Sequence, residues 1–357
     1  MRRITGIVLA VVLIGGVVAA VIAGRDNGDQ DTATKTVTAV IGSEKAEFFA
    51  DQRVVDALAA KGYAVDAETS GSWAMEGLDL KGYDFAFPSS QAPADELAEK
   101  LDVRQPLPRP FYSPLVAVAH GNAADVLEQN GLATVDTHRG TLKMSALLEA
   151  AGDDQRWQDL KGAPEYGELT GTLYIATTDP ETSNSGALYL AATSYVAGGG
   201  QVVATDADVE RTAPLLRKLV SVQGSQPASS DAAFRDFISG VGNPLVWVYE
   251  SQIAALLLAG QGIDDLVVLY PDTTVNSDHT VVPLTDDGRA VGELLSTDPA
   301  LRELAVEYGF RPQGAAPEFI EATADLTDYL NQQLTGVRQA PVPTSQVLRD
   351  MARRAGG

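Results

Sequence analysis

Apolar and polar positions fall into two alternating kinds of block along most of the chain. Short β-branched or aromatic runs predict strands over Thr36–Ile41, Ala64–Ala67, Tyr83–Phe87, Tyr112–His120, Leu245–Tyr249, Leu266–Tyr270 and Thr280–Leu284. Between them, apolar residues recur at helical spacing. One such stretch runs through Phe48, Phe49, Val54, Val55 and Leu58 to Gly62, with Asp51 restarting the helix as a second cap. Others are Ala124–Asn130, Val209–Val222, Ser230–Ser239 and Ile253–Ala259. A further helix follows Thr297-Asp298-Pro299, with proline at the favoured first position, and stops at Gly309. An acidic helix is expected near Glu318–Leu334, then a proline-rich spacer (Ala340–Pro343) and a basic helical tail through Arg349, Arg353 and Arg354. Strands alternating with helices predict an α/β fold with a parallel sheet.

The stretch Leu173–Val196 concentrates the chemistry. It reads as a short strand, Leu173–Ala176, a hydroxyl-rich turn from Thr177 to Gly186, and a helix that stops at Gly198-Gly199-Gly200. Such a turn leaves unpaired backbone N–H groups at a helix start, which attract an anion or a ligand oxygen. Three earlier strands end in similar turns: Gly42-Ser43-Glu44-Lys45, Ser70-Gly71-Ser72-Trp73 and Pro88-Ser89-Ser90-Gln91. Ligands of open α/β sheets bind beyond the carboxyl ends of the strands, so these turns would share one edge. Serine is also simply a good cap and turn residue, and that reading stays open for each turn.

Ile4–Ala23 is uncharged and almost wholly apolar, preceded by Arg2 and Arg3. Its length matches the roughly 20 residues that span a bilayer and exceeds the 7–15 of a cleavable signal's apolar region. The expectation is an uncleaved N-terminal transmembrane helix with the rest of the chain outside the cytoplasm. Val21-Ile22-Ala23 could alternatively serve as a cleavage site.

The 357-residue chain carries 48 acidic and 26 basic side chains, a formal net charge of −22. That argues against nucleic acid as a partner, because phosphate backbones need a basic footprint. It leaves a small ligand open, since a local pocket can oppose the global sign. Cysteine is absent, which removes disulfides, thiol catalysis and a lipid-bearing N-terminal cysteine. His120, His138 and His279 are far apart and form no metal-ligand or triad motif, and each reads as a surface or packed imidazole. No nucleophile elbow, P-loop or dinucleotide fingerprint occurs. No catalytic residue, metal or cofactor is therefore assigned.

The ordered segments GSEK, GSW, FAFPSS, PLVAVA, TTDPETSNSGALY, VWVYESQ, VVLYPDTTVNSDHTVVPL and YGFRP resemble the periplasmic solute-binding proteins of ABC importers. The resemblance is to the type 2 group that includes molybdate- and phosphate-type oxyanion binders. It covers roughly Thr36–Pro312 and implies a two-lobed α/β fold with two hinge crossovers. On this chain the parts would be an N-terminal anchor (1–25), a linker (26–35), lobe one (36–113 and 271–312), lobe two (114–270) and a C-terminal helical extension (313–357). The implied ligand contacts are Ser43, Ser72, Ser89 and Ser90 from lobe one, and Thr178, Ser183, Ser185 and Gly186 from lobe two. The implied partners are a small-molecule ligand of oxyanion type, an ABC permease, and the membrane through the N-terminal helix. Neutral donors suit an ionised oxyanion because they need no buried counter-charge. Lys45, the one cation near such a turn, reads as a solvated lysine in preference to an ion pair with the ligand, Trp73 as a cleft-mouth or core residue, and Glu250 as a cation contact or a helix-start charge. A sensor or protein-interaction domain on the same fold is the alternative function, and an enzyme of unfamiliar motif the third.

Overall fold

The computed structural model describes residues 34–263 and 265–356. The expected membrane segment Ile4–Ala23 lies outside them. Among the described residues no helix is long and apolar enough to cross a membrane.

Two main sheets organise these residues. The smaller has the strand order Val282–Pro283, Phe85–Phe87, Lys35–Ile41, Tyr63–Thr69. Its last three strands are parallel, with Ile41 level with both Phe87 and Thr69. Their carboxyl ends therefore lie together, and the three serine turns leave from one edge. The helices Ala46–Ala50 and Gln52–Ala59 pack on this sheet, the second capped by Asp51, whose side chain accepts from Arg53 N. Phe48, Phe49, Phe85, Phe87, Phe111 and Phe310 form an aromatic core here, with Phe111 stacked on Phe310 at 4.3 Å.

The larger, seven-stranded sheet is built around Phe111–His120. Its first four residues pair with Asn276–His279, and Phe111 and Tyr112 also with Arg311–Pro312. Its last residues pair with Leu245–Tyr249 and Leu266–Pro271. A ten-residue strand buried almost throughout explains the continuous apolar run of its sequence. The chain thus leaves the smaller sheet before Phe111 and returns to it through the segment from Leu266 to Pro283.

Three sequence expectations change. Leu173–Ala176 is not a strand of a ladder. Only Ala176 bridges to Val246, because neighbouring backbone groups are taken by side chains: Asn243 donates to Tyr174 O at 2.7 Å and Thr177 N donates to Gln223 at 2.8 Å. The acidic helix ends at Ala322 rather than reaching Leu334. The carbonyls beyond it accept arginines instead: Leu330 O from Arg139, and Asn331 O and Gln332 O from Arg311. Two strands, Ala133–Asp136 and Arg139–Leu142, appear where no strand was expected.

The C-terminal helix Ser345–Gly356 packs its Leu348, Met351, Ala352 and Ala355 into the core of the larger-sheet side. Trp73, from a turn of the smaller sheet, is 4% exposed and belongs to that same core. Arg349 of the last helix donates to both oxygens of Glu96, at 2.7 and 2.9 Å, and pairs with Glu76, both on the smaller-sheet side. The helix therefore straps the two sides together.

Candidate functional site

The smaller sheet supplies a hydrogen-bonded set at its strand ends. Ser89 N donates to Ser72 Oγ at 2.9 Å, and Ser72 Oγ donates to Ser89 Oγ at 3.1 Å. Ser89 Oγ donates in turn to the Glu44 carboxylate at 2.6 Å. Lys45 Nζ pairs with that carboxylate, lies 3.4 Å from Ser89 Oγ and 3.1 Å from His279 Nδ1. The expected solvated lysine is thus fully buried. Gly42 makes this possible, because a Cβ there would sit 2.4 Å from Ser89 Oγ and 2.6 Å from the Glu44 carboxylate oxygens. Ser43 opens the short 3-10 turn that carries Glu44 and Lys45 and is itself half-buried.

Burial dictates the charges. It lowers the Lys45 pKa from its usual lysine value, against the opposing pull of Glu44. Burial, and then the Lys45 charge, holds the His279 imidazole well below its ordinary value, so it is neutral. Lys45 donates to Nδ1, which places the ring proton on Nε2, a buried atom with no partner among the described residues. Phe111, Phe310, Tyr249 and Phe87 surround the ring, with centroids at 5.2–6.3 Å. Burial, and then Glu44, also raises the Tyr249 hydroxyl pKa, keeping it neutral.

The larger-sheet side meets this set through the helix Asn184–Ala197. Ser90 Oγ donates to Asn184 Oδ1 at 2.5 Å, and Asn184 Nδ2 donates to Tyr249 OH and Ser277 Oγ, each at 3.0 Å. Ser277 Oγ donates to Ser89 O. Trp73 N donates to Thr182 O at 3.3 Å, and a Cβ on Gly71 would lie 2.4 Å from that oxygen. The facing turns therefore touch, and the arrangement is closed.

Of the larger-sheet candidates, Thr178 Oγ1 and Ser185 Oγ lie 2.7 Å apart, and Ser183 Oγ is 3.4 Å from Ser185 Oγ. All three are buried. Gly186 faces its own loop: a Cβ would be 2.3 Å from Thr178 O and 2.9 Å from Pro180 N. Its lack of a side chain serves helix–loop packing. Glu250 is committed elsewhere, in a buried two-point ion pair with Arg311 at 2.6 and 2.8 Å that also accepts from Tyr270 OH. Sequence reasoning missed Asn184, Tyr249, Ser277 and the role of Glu44. Among the described residues no acidic, histidine or cysteine cluster could hold a metal ion. A cavity of about 460 Å³ opens elsewhere, between Thr134–Thr141 and Thr327–Thr335. Its Arg139 already donates to Leu330 O at 2.9 Å.

No family model matches the sequence, and no curated protein matches it either. Solved structures do match by shape. The sulfate-binding protein SubI from Mycobacterium tuberculosis H37Rv is 17% identical, with 88% of this chain and 96% of that one covered and a TM-score of 0.53. A periplasmic thiamin binding protein is 13% identical over 92% and 99%, with a TM-score of 0.57. Iron-bound HitA from Pseudomonas aeruginosa is 11% identical over 89% and 96%, with a TM-score of 0.55. The fold is the mixed α/β fold of periplasmic solute-binding proteins. These neighbours are binding proteins named for chemically different ligands, so the fold by itself selects none.

Proposed function

We propose that this protein is an extracytoplasmic solute-binding protein that takes a small polar ligand between two lobes at the serine turns. The lobes are those expected from the sequence, 36–113 with 271–312 and 114–270. The observation that carries the reading is the buried polar junction at which Ser90 Oγ donates to Asn184 Oδ1 and Asn184 reaches Ser89 O through Ser277, with the Ser72–Ser89 and Ser183–Ser185 pairs in the adjoining turns. Few structural needs call for so many buried hydroxyls from two sheets at one place, since each must find a partner. Anchoring by Ile4–Ala23 would hold the binding domain at the membrane, beside an ABC permease that accepts the ligand. Of the donors first assigned to an oxyanion, Ser89 already serves Glu44, Ser72 serves Ser89 and Ser90 serves Asn184, which favours a ligand other than a free inorganic oxyanion.

The test is a thermal-shift screen of the purified chain against oxyanions, sugars, amino acids and polyamines. A ligand at 100 times its dissociation constant stabilises by about 2.7 kcal/mol. A broad screen in which nothing moves the midpoint contradicts the proposal.

The C-terminal strap favours a second reading, a sensor or interaction domain on the same fold. A helix that ties both sides together opposes the opening a transport protein needs at each cycle. A permease and an ATPase encoded beside this protein would speak for transport.

A further inference from the structure

We infer that Glu44 is a built-in ligand of the serine site: its carboxylate fills the seat a free anion would take and so bars inorganic oxyanions from the intact protein. The inference deepens the reading of the serine turns as a ligand site and rests on it.

The geometry is that of a bound anion. Two donors from separate turns, Ser89 Oγ and Lys45 Nζ, converge on one carboxylate oxygen, Oε1. Ser72 steadies the serine donor. The carboxylate reaches this place by folding back over Gly42, the one residue type that leaves room. The Glu44 side chain is only 3% exposed. A tethered carboxylate acts at an effective concentration on the order of millimolar or higher, so a free anion must outcompete it. An anion that bound beside it would place two like charges in a buried site, which is strongly unfavourable.

The other carboxylate oxygen is different. Glu44 Oε2 has no hydrogen-bond partner among the described residues. Oε2 lies against Gly42, 2.6 Å from where a Cβ there would sit. The ligand class that fits the filled seat is a molecule bringing donors to Oε2, an amine or a polyol. The net charge of −22 also favours approach of a cation over an anion.

The test removes the tethered anion and supplies a free one. Glu44→Ala leaves Lys45 buried and unpaired in an anion-sized gap. Sodium formate should raise the melting midpoint of Glu44→Ala with the logarithm of its concentration, beyond sodium chloride at equal ionic strength. Wild-type protein should show no such excess with formate, sulfate or phosphate. Should Glu44→Ala be unfolded without additive, formate should return it to the folded state, read by circular dichroism. Sulfate or phosphate stabilising the wild type above the chloride control would overturn the inference. So would a Glu44→Ala protein that formate neither stabilises nor refolds. The ligand screen of the wild type can fail while formate rescue succeeds, so the two proposals fail separately.

Discussion

The Arg349 guanidinium lies 4.9 Å from the centre of the Trp73 ring, joining the last helix of the chain to a turn of the smaller sheet. The same arginine pairs with Glu76 and Glu96, so one side chain makes three contacts across the two sides. Arg349 is about 30% exposed, which limits what each contact contributes.

Replacing that arginine tests the strap. An exposed cation–π contact contributes about 0.5–1 kcal/mol and an exposed ion pair about 0.2–1. Arg349→Ala should therefore lower stability by about 1–2 kcal/mol in urea melts, and the difference should shrink at 1 M salt as the pairs are screened. Trp73→Ala should cost about 3–5 kcal/mol, because it empties a buried aromatic site. An Arg349→Ala protein indistinguishable from wild type would mean that the helix rests on one side without tying the two.

His279 gives the molecule an acid-side weakness. Its folded pKa lies well below the ordinary imidazole value of about 6.5, through burial and then Lys45. The unfolded chain therefore binds the proton more readily, and the stability contributed by the neutral ring is present above about pH 6.5 and lost as pH falls below it. The slope from this group is at most about 1.4 kcal/mol per pH unit. The charged groups facing the ring are Lys45 and Glu44. Denaturant melts between about pH 5 and 7.5 should show a shallower slope for His279→Gln than for wild type. Parallel slopes would contradict a buried neutral imidazole.

Gly186 separates packing from ligand contact. A Cβ there meets Thr178 O and Pro180 within its own loop. Gly186→Val should lose folded protein at expression or drop the melting midpoint sharply, whatever ligand is present. A stable Gly186→Val protein with weakened ligand affinity would instead return Gly186 to the ligand's surroundings.

The strand ends were legible because their cause is local. A β-branched run followed by Gly, Ser and Pro reports its own turn, and three parallel neighbours then bring Ser72 and Ser89 together. The partners of those serines were not legible, because they are fixed by tertiary pairing. Lys45 meets His279 across 234 positions, and Asn184 meets Ser277 across 93. Lys45 looked solvated because lysine usually is; only the closure of the aromatic core over it reverses that. The one local hint of the Glu44 seat was Gly42, two residues before a carboxylate at a strand end. Leu173–Ala176 had the composition of a strand, and side-chain competitors for its backbone, Gln223 and Asn243, come from far along the chain.

The central claim, a ligand held between both sheets, is tested most directly by calorimetric titration of the ligand found in the screen against single substitutions on each side. Ser72→Ala and Ser90→Ala alter the smaller-sheet face, and Ser183→Ala and Ser185→Ala the other. A neutral hydrogen bond contributes about 0.5–1.5 kcal/mol, and one to a charged group about 1.5–3. At least one substitution on each face should weaken binding, by roughly twofold to a hundredfold. Affinity that is unchanged by every substitution on either face would place the ligand outside the cleft and contradict the account.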